Sequence, residues 1–163
     1  MRRSLLKALD VRIRKVRKGD IDRIIDIERS WHHLSHWSID SYYRLLNDDS
    51  FTSSFVAEIE DANGRGAIVG FVIFHIAADV SEIYNIAVEH SYARSGIGHQ
   101  LMAAAIQESG RRKADKVLLE VRKSNNPAIN FYLKFNFQIA GERKNYYSNP
   151  VEDAYVMERD VSN

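Results

Sequence analysis

The sequence predicts an α/β domain built on a mixed, mainly antiparallel sheet with helices on both faces. Three observations carry that reading. Apolar residues alternate with period two in several short runs and recur at helical spacing in others. Two strand-like runs flank Asp61-Ala62-Asn63-Gly64, a turn signal that predicts a hairpin. A strand–helix–strand unit over residues 82–121 ends in a short apolar run of the kind buried inside a covered sheet. A chain of 163 residues fits one domain, taken as residues 1–163 with a core from about 11 to 160.

Taken in order, residues 11–16 alternate apolar and basic side chains and read as a first strand. Asp20 stands at the N-cap of a helix whose apolar stripe is Ile21, Ile24, Ile25 and Trp31. Ser38 caps a second, short helix carrying Tyr42, Leu45 and Leu46. Residues 55–59, 67–76 and 82–88 read as strands, and residues 98–113 as a helix burying Leu101, Met102, Ala105 and Ile106. After the strand at 117–121, Pro127 behind Asn126 opens a helix reaching Phe135. Strands near 137–143 and 154–160 bracket a polar loop.

Composition narrows the function classes. The apolar fraction of 45% and charged fraction of 28% are those of an ordinary globular protein. Lys plus Arg total 23 against 22 for Asp plus Glu, so no global field recruits nucleic acid or an acidic membrane. Cysteine is absent, which excludes disulfides, thiolate catalysis and thiolate-bound zinc. The apolar stretch of the first ten residues is interrupted by Lys7 and ends at Asp10, too short for a signal peptide. No run approaches the roughly 18 apolar residues of a membrane span, and the expected location is the cytoplasm.

The most informative segment follows the strand end Ile86-Ala87-Val88. A short turn leads to Arg94-Ser95-Gly96-Ile97-Gly98-His99, where Gly96-x-Gly98 opens an amphipathic helix. Glycines let the backbone approach a ligand, and successive N–H groups at a helix start favour an anion. Arg94 adds a full charge suited to phosphate. On spacing alone, a plain turn into a packed helix is an equal reading. No Gly-Lys-Ser/Thr follows and no third glycine completes a dinucleotide fingerprint, since residue 101 is Leu.

With that loop, the chain resembles the GNAT superfamily of N-acetyltransferases. The resemblance continues at Leu119-Glu120-Val121-Arg122-Lys123-Ser124-Asn125, at Ala128 to Tyr132, at Asn145-Tyr146-Tyr147 and at Glu152-Asp153-Ala154, and it is similar to the RimI branch, the ribosomal-protein alanine N-acetyltransferases. It implies transfer of acetyl from acetyl-CoA to a primary amine, with a protein N-terminus, such as that of a ribosomal protein, as acceptor. It assigns Glu120 as general base and Tyr132 as general acid. Coenzyme A would lie against Ile86, Ala87, Val88, residues 94–99 and Asn125, with Trp37, Tyr146 and Tyr147 on the acceptor side, and no metal is implied. Two positions depart from the family. Ala93 replaces the usual Gln or Arg, which lowers the expected cofactor affinity, and Asn136 replaces a Gly whose left-handed conformation Asn tolerates.

The residues have plainer readings as well. Glu120 breaks the apolar pattern of its strand and can accept a proton from an amine, or can pair with Arg122 or Lys123. Tyr132 can protonate a departing thiolate or simply pack among Phe131, Leu133 and Phe135. Asn125 can cap a helix, and Tyr146 and Tyr147 can be ordinary loop aromatics. His32 and His36 are four apart, yet no zincin glutamate follows, and the His32, His33, His36 segment reads as a flexible substrate-facing loop. An α-amino group with a pKa near 7.8 is about one-tenth neutral at pH 7, which favours an N-terminus over lysine. A polyamine or antibiotic amine is the alternative acceptor, and a non-catalytic coenzyme A sensor the alternative class.

Overall fold

The computed structural model describes residues 10–34, 37–47, 52–60 and 63–162. The basic opening segment, Ser35, His36, Asp61, Ala62 and the Leu46 side chain lie outside the described residues. The alternating first run forms β1 (Val11–Lys15), antiparallel to β2 (Thr52–Glu60). β3 (Gly66–Ala77) and β4 (Val80–Val88) continue the antiparallel series. Helix α3 (Ile97–Arg111) then crosses to β5 (Lys116–Arg122), which runs parallel to β4. After α4 (Asn126–Leu133), the hairpin of β6 (Gln138–Ser148) and β7 (Val151–Asp160) closes the sheet, giving the order β1-β2-β3-β4-β5-β7-β6. The mixed sheet with its central parallel crossover is the predicted fold class.

The two faces fill differently. Helices α1 (Ile21–Arg29) and α2 (Ile39–Asn47) bury Ile21, Ile24, Ile27 and Tyr42 against Val56, Phe71 and Ile73. On the other face Leu101 and Met102 of α3, and Phe135 just past α4, pack against Val72, Phe74, Leu119 and Met157. Helix α4 ends at Leu133 and so stops short of the expected Phe135. Successive β3 residues therefore join opposite cores, which is why that strand is a continuous apolar run. Glu28, fully buried, ties the first face together. Its carboxylate accepts from Tyr42 Oη at 2.7 Å and Asn85 Nδ2 at 2.8 Å, and from the Trp37 N–H at 3.3 Å. A buried carboxylate surrounded by donors fixes both helices relative to β4.

Local differences from the sequence reading have physical causes. Ser38 caps α2 as expected, its Oγ accepting from the Ser41 N–H at 3.2 Å. Asp20 holds the cap position of α1, yet its carboxylate serves the Arg17 N–H at 2.7 Å and Arg14 instead of the helix. Trp31 lies beyond the end of α1 and is not part of its stripe; its indole donates to the Val88 carbonyl at 2.9 Å. Asn136 adopts φ 62°, the left-handed conformation expected of it.

Arg14 links β1 to this cap region and to β2 through Asp20 at 2.7 Å and Glu58 at 3.1 Å. Burial alone would raise the Asp20 carboxyl, but the hydrogen bonds from Arg14 and the Arg17 N–H outweigh it and hold it below 3.8. The Arg14 hydrogen bond holds Glu58 below 4.5. Carboxyls depressed in the folded state stabilise it fully above about pH 4.5, and that stabilisation is lost as pH falls through the folded-state values. The contribution of this network should therefore be constant from pH 7 to about 5 and decline below it, so that the acid loss of stability in urea unfolding is flatter in Asp20→Asn than in the parent. Arg14→Met at pH 7 should cost about 3 kcal/mol by stranding two carboxylates. An acid decline of equal steepness in Asp20→Asn and the parent removes Asp20 from this account.

Candidate active site

β4 and β5 pair only from Val80↔Lys116 to Ile83↔Leu119, although β4 runs to Val88 and β5 to Arg122. Beyond that level each keeps its outer neighbour, β3 for Asn85 to Val88 and β7 for Glu120 to Arg122. The sheet opens between them. The parting begins at Tyr84, which has no β3 partner because Ile83 faces Phe74 and Asn85 faces Ile73, a β-bulge. The Glu89 N–H bonds to the Val69 carbonyl at 2.8 Å. By the alternation of antiparallel pairs, Ile86 and Val88 then turn their backbone groups away from β3, toward the gap. Ala87 is buried in the α1–α2 core, so of the three expected strand-end residues it is the other two that present backbone to the opening.

The glycine loop closes one end of this gap. Arg94 (φ 61°) and Gly96 (φ 86°) are left-handed, and Gly96 is the N-cap of α3 with no side-chain cap. Among the described residues no backbone bond uses the N–H of Gly96, Ile97, Gly98 or His99, whereas Gln100 already bonds back to Gly96 at 3.1 Å. These donors sit on the positive end of the helix. A Cβ at Gly98 would lie 3.7 Å from Val88 and 3.8 Å from the Phe131 ring, so the loop, the β4 end and α4 meet there. Gly70 on β3 seats the same turn: a Cβ at that position would stand 3.1 Å from the Ala87 carbonyl and from Leu101, and 3.3 Å from Ile97. The Ile97 side chain is core, Ser95 Oγ donates to the Tyr92 carbonyl, and the His99 ring rests on Phe135 at 4.5 Å. These three can address a ligand by backbone only or, for His99, by an exposed ring. Asn125 caps α4, its Oδ1 accepting from the Ala128 N–H at 3.3 Å.

Glu120 is the first β5 residue past the last β4 pair. Leu119 and Val121 enter the α3–α4 core, so alternation turns Glu120 to the opposite face. There it accepts from Arg143 Nε at 3.0 Å, not from its sequence neighbours: Arg122 pairs with Glu152 at 3.2 Å and Lys123 with Glu142 at 3.1 Å. Tyr132 lies on the other side of the sheet, nearly buried beside Phe131 (5.5 Å) and Phe137 (5.9 Å), and burial pushes its phenol up to about 12. The two expected catalytic residues thus lie on opposite faces of the sheet.

The Glu120 face carries two residues the sequence reading missed. Glu82 is raised above 4.5 by burial and then by the charge of Glu120. Tyr84 is raised above 10 by burial, with Glu82 and Glu120 adding to it. The criterion that singled out Glu120, a carboxylate in an otherwise apolar strand, applies equally to Glu82. Trp37 packs on Tyr84 at 5.4 Å between ring centroids. Tyr146 and Tyr147 stand on β6, not in a loop, because the strand continues to Ser148. Burial and then Glu120 raise Tyr146, while Tyr147 holds the Arg122 guanidinium 4.2 Å above its ring. A groove of about 500 Å³ runs beside them, lined by His32, Leu34, Arg122, Tyr146, Tyr147 and Asn149 among others. The His33 carbonyl accepts from Arg122 at 3.4 Å. Among the described residues no group of three His, Asp or Glu side chains is placed to hold a metal ion.

Residues 21–137 match the Acetyltransferase (GNAT) family. The chain is 35% identical over 145 residues to a candidate [ribosomal protein bS18]-alanine N-acetyltransferase of Bacillus subtilis, covering 89% of this chain and 92% of that one. It is 33% identical to an N-alpha-acetyltransferase of Sulfurisphaera tokodaii, covering 93% of each. The crystal structure of the ribosomal-protein-S18-alanine N-acetyltransferase from Escherichia coli superposes with a TM-score of 0.79 at 29% identity, covering 93% of this chain and 94% of that one. The chain belongs to the acetyltransferase (GNAT) family and is an N-acetyltransferase. Enzymes of this family use acetyl-CoA. The free N–H groups at Gly96 to His99 suit a diphosphate, and the Ile86 backbone and Val88 N–H turned from β3 suit an amide arm, the Val88 carbonyl being already taken by the Trp31 indole.

Gly96→Val tests the loop. Its Cβ has nothing within 4 Å, so only the left-handed backbone resists, at about 1–2 kcal/mol. Calorimetry should show coenzyme A binding weakened about tenfold while the fold persists. Undiminished affinity would show that this turn does not hold the diphosphate.

Proposed function

We propose that this acetyltransferase transfers acetyl from acetyl-CoA to the α-amino group of a protein N-terminus, an alanine of a ribosomal protein being the first choice. The single observation that carries the reading is the parting of β4 and β5, with backbone donors at one end and Glu120 and Tyr132 on the two faces of the sheet. The relatives named for ribosomal-protein alanine and N-alpha acetylation support the choice of acceptor. The groove beside Tyr146 and Tyr147 gives an extended peptide a place to lie on the Glu120 face.

Acetyl-CoA supplies a thioester-bound acetyl group. The N–H groups of Gly96 to His99 hold the diphosphate, and Ile86 and Val88 hold the amides of the arm by strand addition. That places the reacting carbon at the level where Glu120 and Tyr84 leave the paired part of the sheet. Glu120 takes the proton of the attacking amine, with Glu82 beside it as a second acceptor whose carboxyl is raised by burial and by the charge of Glu120. Tyr132, in the core on the opposite face of the sheet, is the residue proposed to meet the departing sulfur. A phenol near 12 does not fully protonate a thiolate near 8.5, so its contribution is a hydrogen bond that strengthens as negative charge builds on sulfur.

Thiol release from acetyl-CoA should be rapid with a peptide beginning in Ala and slow with spermidine. Glu120→Gln should retain coenzyme A affinity and lose roughly 100-fold in kcat, and Tyr132→Phe roughly tenfold. Release with a polyamine but no peptide moves the acceptor to a small molecule. Tight coenzyme A binding with no release for any amine makes the chain a sensor.

A further inference from the structure

Two arginines sit in one row across the sheet, and they are held very differently. The row is Arg122 on β5, Ala154 on β7 and Arg143 on β6. Arg122 is nearly buried and locked: it donates to the Asn149 and Pro150 carbonyls at 3.1 Å each, pairs with Glu152 and lies over Tyr147. Arg143 reaches across β7 from the sheet edge and has one tether, Nε to Glu120 Oε1 at 3.0 Å. Its side chain is 56% exposed against 12% for that of Glu120. Its terminal nitrogens make no hydrogen bond among the described residues.

We infer that Arg143 is a placeholder cation: its guanidinium occupies the seat on Glu120 that the acceptor's ammonium takes, and it leaves when the acceptor arrives. This rests on the proposed function of the same site. Charge is the first argument. Glu82 and Glu120 face each other's field from adjacent strands, and among the described residues Glu82 has no ion pair. A cation is needed near the pair at all times, and an incoming ammonium can replace the guanidinium one for one. Mobility is the second. Arg143 is half-exposed, and the Tyr146 ring, 5.9 Å from its guanidinium carbon, is an alternative resting place. The β6–β7 register shifts between Arg143 and Tyr147, which puts Tyr146 within reach of the Arg143 guanidinium on the same strand.

The exchange also gives the cycle a direction. An N-terminal ammonium competes with Arg143, but once the amine has lost its proton and become an amide it carries no charge and cannot. Arg143 returns to Glu120 as the product leaves. The device therefore favours charged, unmodified N-termini and suppresses binding of acetylated ones.

Arg143→Gln removes the competing charge at similar length. With an Ala-starting peptide, its KM should fall about two- to fivefold, the size expected of losing a half-exposed ion pair as competitor. Inhibition by the N-acetylated peptide should strengthen by a similar factor, and Arg143→Lys should bring both values back toward the parent. Coenzyme A affinity and thermal midpoint, measured on the same samples, report folding. A folded Arg143→Gln enzyme with unchanged or higher acceptor KM and no gain in product inhibition overturns the placeholder while leaving the acetyltransferase reading intact. A parent chain that acetylates no amine overturns both.

Discussion

Everything functional in this molecule depends on the loss of pairing between β4 and β5 above Ile83 and Leu119. A sheet with continuous hydrogen bonding presents no backbone to a ligand, because every N–H and C=O is already used. Here the bulge at Tyr84 turns β4 away, and the two freed strands stay ordered because each keeps its outer neighbour. The opening is therefore preformed. It also sets which side chains can act: Glu120 and Tyr84 are the residues at which the strands separate, and alternation assigns them to the face opposite Tyr132.

A gap in a sheet is stable only if both layers hold it open. On the α3–α4 side, Gly70 lets the first turns of α3 rest directly on β3, where any side chain would press on the Ala87 carbonyl. On the other side the carboxylate of Glu28 joins Tyr42, Trp37 and Asn85, so α1, α2 and β4 are fixed to one another beneath Tyr84. The cost of burying that carboxylate is offset only because the donors are already in place. The same hub brings Trp37 onto Tyr84, which is how a core network comes to shape the acceptor face.

The glycine loop and the helix start behind it were legible in the sequence because they are local. Gly96 and Gly98 act through their own backbone conformations and through a helix that begins beside them, all within a few residues. The strand–helix–strand crossover and the Asn136 turn follow equally from short-range pattern. What misled the reading was non-local. β6 is an edge strand with mostly exposed residues and an irregular register, so its polar sequence near Tyr146 resembles a loop. The partner of Glu120 is 23 positions away on that edge, reached across β7, and adjacent Arg122 and Lys123 were the natural but wrong candidates. Asp20 is a local exception: Arg14, six positions back on β1, and the Arg17 N–H take its carboxylate in place of the helix amides.

This contrast follows from what each substrate demands. A diphosphate and a flexible amide arm present the same groups every time, so in the proposed site backbone donors fixed by glycine and strand geometry suffice for them without side-chain choice. A peptide acceptor, on the proposed function, varies in sequence, arrives charged, loses a proton and leaves neutral. Recognition of that kind needs titratable and mobile side chains, and here they come from β4, β5, β6 and the segment after α1. Such convergence is a property of the folded sheet: Glu82, Glu120 and Arg143 are meaningless as a motif and become a cluster of two carboxylates and one guanidinium only when β7 inserts between β5 and β6. The acceptor side is thus both the part of the site hardest to read from residue order and the part on which specificity depends.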